Sequence, residues 1–283
     1  MFTANFKLVL RTGLVSSASG SAYLELELPR PRRELFPTAS TIKLSCTVHG
    51  PKPVSRTSYF SPNLQLTASV KFAPFATRLR RGYVRDASER DLGTHLETAL
   101  RGAIIPNRWP KSAIDVVVIV LEGEEDHWVG RRPEDRQGIQ GVGMMNVLAG
   151  CITVASAALA DARIDCIDLL AGGVAAIVAS EGVKEIRVLD PCPMEHEQIL
   201  SACTIGYLPT RDEITEVWMR GNLTGSAAVE DILEGAVKSA RGTQLVLQEA
   251  VQESAERWTR QSMQAELKKI DNDTSMNDVE MKT

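Results

Sequence analysis

Residues 150–173, GCITVASAALADARIDCIDLLAGG, join an almost continuous run of small apolar side chains to three aspartates, Asp161, Asp165 and Asp168. The apolar run ends at residue 160 after about 14 residues, whereas a helix that spans a bilayer needs about 20 predominantly apolar residues. We therefore interpret residues 147–162 as a core helix whose alanines and glycines let it approach a sheet, followed by a strand over residues 167–178. The aspartates cross the end of that helix and a turn, which favours caps and salt bridges over a metal cluster.

The composition indicates a globular protein. With 283 residues, of which 43% are apolar and 24% charged, the chain can bury a large core in one large domain or two small ones. The net charge of -4 does not attract nucleic acid to the whole molecule, so a role in nucleic-acid binding requires a local basic patch. Five scattered cysteines without a C-x-x-C pair favour reduced, buried thiols over a disulfide framework or a zinc site. The N-terminus lacks the pattern of a secretory signal, so we expect an intracellular protein.

The first third of the chain is predicted to be rich in strands. Alternating apolar residues predict a hairpin that turns through residues 16–20 and further strands over residues 41–51 and 64–75. The period then changes, because apolar residues recur at helical spacing after Ser88, which we interpret as the N-cap of a helix. A β-branched run over residues 112–123 predicts a buried strand.

The second half is predicted to continue as helix, strands and helix. Residues 29–40 and 122–143 are polar and rich in Pro or Gly, and we interpret both as inserted loops. Three strands follow the core helix and its strand, and residues 226–270 are mostly helical. These elements predict one α+β domain over residues 1–270, with its helices on one side of its sheet, and a short, acidic, disordered tail over residues 271–283.

Several motifs, in order, resemble the RNase PH family. GSAYLELE followed by TIKLSCTVHGP resembles the family's opening hairpin, which reads G-S-A-Y-x-E and then T-K-V-x-C-x-V-x-G-P. KFAPFA, ERDL with LETAL, WPKSAIDVVVIVLE, ITVASAALADARIDCIDLLAG, VLDP and GYLP follow in the family's order, so that the resemblance extends from about Leu10 to Asn222. Within the family, RTGLVSSASGSAYLE, FAPFATRLRR and LDPCPMEHEQ are similar to one type of RNase PH-like ring subunit of the eukaryotic RNA exosome.

The resemblance has implications that the residues alone do not supply. It implies an α/β two-layer fold like that of ribosomal protein S5 domain 2, and a place in a hetero-hexameric ring of RNase PH-like subunits around an RNA channel. The implied partners are those ring subunits, cap proteins with S1 and KH domains, and single-stranded RNA, with no membrane. The implied locations are the nucleus, the nucleolus and the cytoplasm. The chain starts too close to its first strand to hold the family's usual R-x-D-G-R segment, which leaves a missing N-terminal segment open.

Two segments of the family's active site depart from the residues that the chemistry needs. Active relatives place G-G-T-R at the N-terminus of the core helix, where backbone N–H groups and the arginine bind phosphate; the corresponding residues here are Met145–Leu148. Relatives also carry E-D and, six positions after that Asp, a second Asp, where this chain has Glu195, His196 and Ala202. With Leu148, His196 and Ala202 degenerate, we expect no catalytic residue, no metal and no cofactor.

The expected function is that of a non-catalytic structural subunit of the exosome ring that supports 3′–5′ RNA processing and degradation. The alternative is an active phosphate-dependent 3′–5′ exoribonuclease of the RNase PH type, and a third hypothesis is an RNA-binding module that works without a ring. The residues at positions 148 and 202 discriminate the first two, because an apolar side chain cannot neutralise phosphate and a methyl group cannot hold a metal.

Residues 76–85, ATRLRRGYVR, form a basic loop. It is the local basic patch that nucleic-acid binding would require in a chain of negative net charge. Arg78, Arg80, Arg81 and Arg85 fit contacts with the phosphates of single-stranded RNA, with Tyr83 in position to stack on a base. The alternatives are a solvated loop and a cluster of charges at a subunit contact, and the resemblance to a channel-forming ring favours RNA.

Overall fold

The computed structural model describes residues 7–27, 41–54, 61–77, 80–84, 86–124, 139, 141–180, 183–193, 196, 198–223 and 225–280. For residues 180, 183–185, 261 and 265–280 it describes the backbone alone. The predicted loop over residues 29–40, most of the insertion over residues 122–143, and Arg78 and Arg85 of the basic loop lie outside these residues.

The first sheet contains the strands of the N-terminal half. Its strands are β1 (Lys7–Thr12), β2 (Gly20–Glu27), β3 (Thr41–Pro53), β4 (Gln65–Phe72) and β5 (Ser112–Glu122), in the order β1-β2-β3-β5-β4. All neighbours are antiparallel except β4 and β5, which are parallel. The strands alternate between buried and half-exposed residues, as a sheet with one face on the core requires.

The second sheet contains the strands of the C-terminal half. Its strands are β6 (Ala171–Ser180), β7 (Val183–Leu189), β8 (Ile199–Leu208) and β9 (Glu213–Gly221), in the order β7-β6-β8-β9, and all are antiparallel. The predicted strand over residues 167–178 therefore begins four residues later, at Ala171. Strand β8 is buried along nearly its whole length, which indicates that both faces of this sheet are covered.

Three helices separate and cover the sheets: α1 (Ala87–Ala103), α2 (Val142–Asp161) and α3 (Ser226–Glu280). Helices α1 and α2 contact strands of both sheets, and α3 packs on the second sheet and on β1. Adjacent residues of β6 show that α2 and α3 lie on opposite faces, because a side chain on Gly172 would collide with Ala149 of α2 and one on Gly173 with Ala236 of α3. The expectation of one sheet with helices on one side is therefore wrong; the layers are sheet, helices, sheet and helix.

The apolar surface of α2 explains why this helix lies between two sheets. Its buried residues lie all around the helix, and a helix without a polar face needs cover on every side. A β-carbon on Gly172 would lie 2.1 Å from the carbonyl oxygen of Ala149, which confirms that small residues let this helix and strand approach closely. By length and composition Val142–Asp161 could cross a membrane, but here it is largely buried within the fold.

The ends of the helices differ from those expected. Asp86, not Ser88, caps α1: its carboxylate accepts from the backbone of the first turn, and the side chain of Glu89 accepts from the backbone N–H of Asp86. Because this reciprocal capping box satisfies backbone N–H groups at the start of the helix, Asp86 is its N-cap. Helix α2 begins at Val142, after Gly141 in the left-handed conformation (φ 94°), and so takes in the last residues of the predicted insertion. Helix α3 continues to Glu280, and the disordered tail over residues 271–283 stays a prediction.

The cysteines occupy the core. All five are free thiols; Cys46, Cys151, Cys192 and Cys203 are buried and Cys166 is half-buried. Burial raises the pKa of Cys203 to about 12, so its thiol remains protonated at neutral pH. The prediction of reduced, mostly buried thiols is confirmed.

Candidate functional site

The four residues aligned with the family's phosphate-binding segment do not lie at the end of a helix. Helix α2 begins at Val142, so Met145–Leu148 fall at the end of its first turn and in its second. The backbone N–H of Met145 donates to the carbonyl oxygen of Gly141 at 3.2 Å. N–H groups bind anions at a helix N-terminus because they have no partner within the helix, and the N–H of Met145 has one.

Leu148 stands where active relatives have arginine, and it is a core residue. Its side chain is fully buried in the apolar cluster that fills the space between the first sheet and helices α1 and α2. The leucine side chain itself carries no charge that could bind an anion.

Asn146 makes structural contacts that sequence reasoning missed. Its amide nitrogen donates to Oε2 of Glu124 at 2.5 Å and to the carbonyl oxygen of Pro191 at 2.8 Å. Both partners are acceptors, which fixes the orientation of the amide. Asn146 thereby ties α2 to a residue just after β5 and to the turn after β7, a connection between residues too far apart for any motif spacing to show.

Ala202 stands where active relatives have the second acid. It lies on β8, fully buried in an apolar cluster with Val142, Met145, Val188 and Ile199. Leu148 belongs to a different apolar cluster, so the two altered positions both serve packing.

His196 is the third altered position, and it is half-buried between β7 and β8. Its backbone N–H donates to the carbonyl oxygen of Cys192 at 3.2 Å, and burial lowers the pKa of its imidazole. Glu195 lies outside the described residues. Within the described ranges, no three His, Cys, Asp or Glu side chains converge as metal ligands would.

Three side chains, His95, Trp218 and Arg220, stack beside the N-terminus of α2. The ring of His95 stacks on Trp218 at 4.9 Å between centroids, and its Nδ1 lies 2.7 Å from Oε1 of Glu216. The guanidinium of Arg220 lies 4.9 Å from the centre of the Trp218 ring and against Gly141, where an added β-carbon would be 2.2 Å from Nη1. The stack joins α1, β9 and the residue before α2, and the sequence carries no spacing that predicts it.

Each of the three aspartates of the opening motif has a structural partner. Asp161 accepts from the backbone N–H of Ser21 at 3.0 Å and from the hydroxyl of Ser254 at 2.9 Å. Asp165 pairs with Arg108, and Asp168 accepts from the backbone of Leu169 and Thr210. The expectation of caps and salt bridges is confirmed.

The two arginines of the basic loop that the structure describes, Arg80 and Arg81, differ in their surroundings. Arg81 is half-buried: its backbone N–H donates to the carbonyl oxygen of Pro74 at 3.2 Å and its guanidinium lies 4.0 Å from the centre of the Phe72 ring. It also donates to Ser88 at 3.3 Å, so it holds the loop on the body of the protein. Arg80 and Tyr83 are exposed.

Comparison with known families matches residues 7–165 to the RNase PH model, described as the 3′ exoribonuclease family, domain 1. The exosome complex component MTR3 of Chaetomium thermophilum is 51% identical over 251 residues, which cover 88% of this chain and 85% of that protein. The component mtr3 of Schizosaccharomyces pombe is 30% identical, over 87% of this chain and 82% of that protein. The crystal structure of rice Rrp46 superposes with a TM-score of 0.62 at 15% identity, over 87% of this chain and 94% of that one.

Fold and matches together define the class: the chain belongs to the RNase PH family. Three of the relatives are called exosome complex component MTR3. This confirms the resemblance to an RNase PH-like ring subunit of the exosome. The α+β class and the RNase PH fold are confirmed with it.

Proposed function

We propose that this chain is a non-catalytic structural subunit of the RNA exosome ring, which supports 3′–5′ RNA processing and degradation by a nuclease elsewhere in the complex. The similarity to proteins named exosome complex component MTR3, over most of both chains, supports this assignment. Its partners are other RNase PH-like ring subunits, cap proteins with S1 and KH domains, and single-stranded RNA. We place it in the nucleus, the nucleolus and the cytoplasm.

The observation that carries the absence of catalysis is the burial of Leu148 on the second turn of α2. A charge-assisted hydrogen bond to an anion contributes about 1.5 to 3 kcal/mol, which leucine cannot supply. Ala202 adds an independent loss, because its methyl group lies in an apolar cluster where relatives hold an acid. Loss of a group that transfers protons costs on the order of a hundredfold or more in rate.

Phosphorolysis provides the test against the alternative of an active exoribonuclease. The ring, assembled with this chain and its partners, is incubated with single-stranded RNA, magnesium and inorganic phosphate, beside an RNase PH family member that releases nucleoside diphosphates. We expect His196→Ala to leave any release by the ring unchanged. Release that disappears in His196→Ala, while the ring stays intact, would show a variant active site in this chain.

The structural role predicts that the chain depends on its neighbours. Interfaces of permanent assemblies are large and apolar, so the chain expressed alone is expected to be poorly soluble or to self-associate. Light scattering on the isolated chain, and identification of stoichiometric partners after native purification, measure this. A stable monomer that brings down no partner contradicts the proposal.

The basic loop supplies the contact with RNA. Arg80 is exposed, whereas Arg81 holds the loop in place. Replacing Arg78 and Arg80 by Ala is expected to weaken RNA binding by the ring and to lower its salt slope by about 0.7 for each phosphate that the variant no longer neutralises. Arg101→Ala, an exposed arginine on α1, is the control. An unchanged affinity and slope would leave the loop without a role in the RNA path.

A further inference from the structure

Phe75 is held in solvent by a rigid turn. The turn Ala73–Ala76 is closed by a bond from the N–H of Ala76 to the carbonyl oxygen of Ala73 at 2.9 Å. It is fixed to β5 on both sides: the N–H of Ala73 donates to Val120 at 2.9 Å, and the N–H of Gly123 donates to Ala76 at 3.0 Å. Ala73 and Ala76 are buried, yet the side chain between them, Phe75, is 74% exposed.

The basic loop returns to the same turn. The bond from the N–H of Arg81 to the carbonyl oxygen of Pro74 closes the loop beside Phe75, and the guanidinium of Arg81 over Phe72 holds it there. Two residues further along the chain, Tyr83 is 76% exposed. Two exposed aromatic side chains therefore follow closely on the two residues that this bond joins, Pro74 and Arg81.

Along the chain, the charged residues on either side of the two rings are all basic. Residues 71–85, KFAPFATRLRRGYVR, contain five cationic residues and no acidic one, in a chain of net charge -4. The nearest acids along the chain are engaged at the start of α1, where Asp86 caps the helix and Glu89 accepts from the N–H of Phe72 at 2.9 Å. The matching partner is an anionic chain that carries flat apolar groups, which describes single-stranded RNA.

We propose that Phe75 and Tyr83 are base-stacking residues, which bind unpaired RNA bases while the arginines of the basic loop contact the phosphates. This inference rests on the proposed function, because it requires RNA to pass the basic loop. Stacking is tolerant of sequence, since every base has a flat face, so the pair holds RNA without selecting a sequence. The fixed turn lowers the cost of ordering Phe75 when RNA binds.

The test compares oligoadenylate with an abasic ribose-phosphate oligomer of the same length, bound to the assembled ring that contains this chain. Phe75→Ala and Tyr83→Ala are each expected to weaken oligoadenylate binding about tenfold. Binding of the abasic oligomer and the salt slope should stay unchanged, because the phosphate contacts remain. Phe75→Trp and Tyr83→Phe keep an aromatic ring and should keep the affinity. Leu245→Ala, at a side chain 67% exposed on α3, is the matched control for loss of an exposed apolar group.

Each other outcome overturns the stacking role. Equal loss with both oligomers shows that the rings do not act through bases, and no loss with either shows that they do not meet RNA. Failure of the Phe75→Ala ring to assemble shows that the rings are a protein interface. If the arginine variants lower affinity and slope while the aromatic variants change nothing, the proposed RNA contact stands and only the stacking fails. If neither the arginine variants nor the aromatic variants change RNA binding, both the proposed RNA contact and the stacking role fail.

Discussion

Ala202 lies directly opposite Arg220 in the ladder between β8 and β9. Residues paired in this way point to the same face of a sheet, here the face toward α2. The methyl group of Ala202 packs with Val142 and Met145, and the guanidinium of Arg220 lies against Gly141, at the residue that precedes α2. Protein atoms therefore pack against Ala202, the position that the motifs align with an acid of active relatives.

Restoring the acid should not restore catalysis. Ala202→Asp places a carboxylate in an apolar cluster, which we expect to cost about 2 to 4 kcal/mol of folding free energy and to yield no phosphorolysis. The midpoint of thermal unfolding of the purified complex and the release of nucleoside diphosphates measure the two effects. Ala202→Asn has the same shape without the charge and should cost less. Nucleoside diphosphate release by the Asp variant would mean that the pocket is still present.

Two glycines should respond in opposite ways to alanine. A β-carbon on Gly172 would lie 2.1 Å from the carbonyl oxygen of Ala149, and backbone cannot move aside cheaply, so Gly172→Ala should cost about 3 kcal/mol or more. Gly242 lies within α3 with nothing within 4 Å of an added β-carbon, so Gly242→Ala should stabilise the protein by about 0.5 to 1 kcal/mol. Thermal unfolding of the two variants side by side measures both signs. A neutral Gly172→Ala would mean that α2 is packed more loosely on β6 than the structure shows.

Asp161 should contribute more to stability than any exposed ion pair. Asp161→Ala leaves the buried N–H of Ser21 and the hydroxyl of Ser254 without their acceptor, a loss of about 1 to 3 kcal/mol for each. Asp165→Ala, which removes the exposed pair with Arg108, should cost under about 1 kcal/mol. Hydrogen exchange of the Ser21 amide should speed up in the first variant alone. Equal destabilisation of the two variants would refute this ranking.

The stability should depend on pH through Asp190. Burial raises the pKa of this carboxyl to about 6, although the hydroxyl of Ser239, which donates to it at 2.6 Å, acts in the opposite direction. Because the folded state holds this proton up to a higher pH than the unfolded state, stability falls as pH rises from about 4 to about 6. Asp190→Asn stays neutral, so it should unfold a few degrees higher than the wild type at pH 7.5 and equally at pH 4. Melting curves of the two proteins at each pH measure this difference. A difference in melting temperature that grows toward acid pH would contradict the prediction.

The strands, unlike their layers, could be predicted from the sequence. Alternation of apolar residues is a local signal that located β1 to β4, and a β-branched run located β5. Nothing local says how many sheets a set of strands forms. The signal that was present lay in α2, whose apolar residues leave no face for solvent and thus require a sheet on each side. Its start was missed because Gly141 and Gly143 are typical of a loop.

In the candidate site, as in the fold, local features could be predicted from the sequence and tertiary contacts could not. Leu148 and Ala202 could be singled out from motif positions, because each motif is short and continuous. The loss of the family's arginine and acid at these positions stays a prediction. The bond of Asn146 to Glu124 and the stack of His95 on Trp218 join residues 22 or more positions apart. Only the tertiary fold brings such residues together, so no spacing in the sequence could have shown them.

The central position of α2 also bears on how the chain is made. Translation completes the first sheet, residues 7–122, before it reaches this helix, and completes the second sheet, residues 171–221, only afterwards. Residues 142–161, a 20-residue segment with the length and hydropathy of a membrane span, therefore leave the ribosome before the strands of the second sheet do. Until β6 and β8 emerge, the side of this segment that they cover in the folded protein lacks that cover.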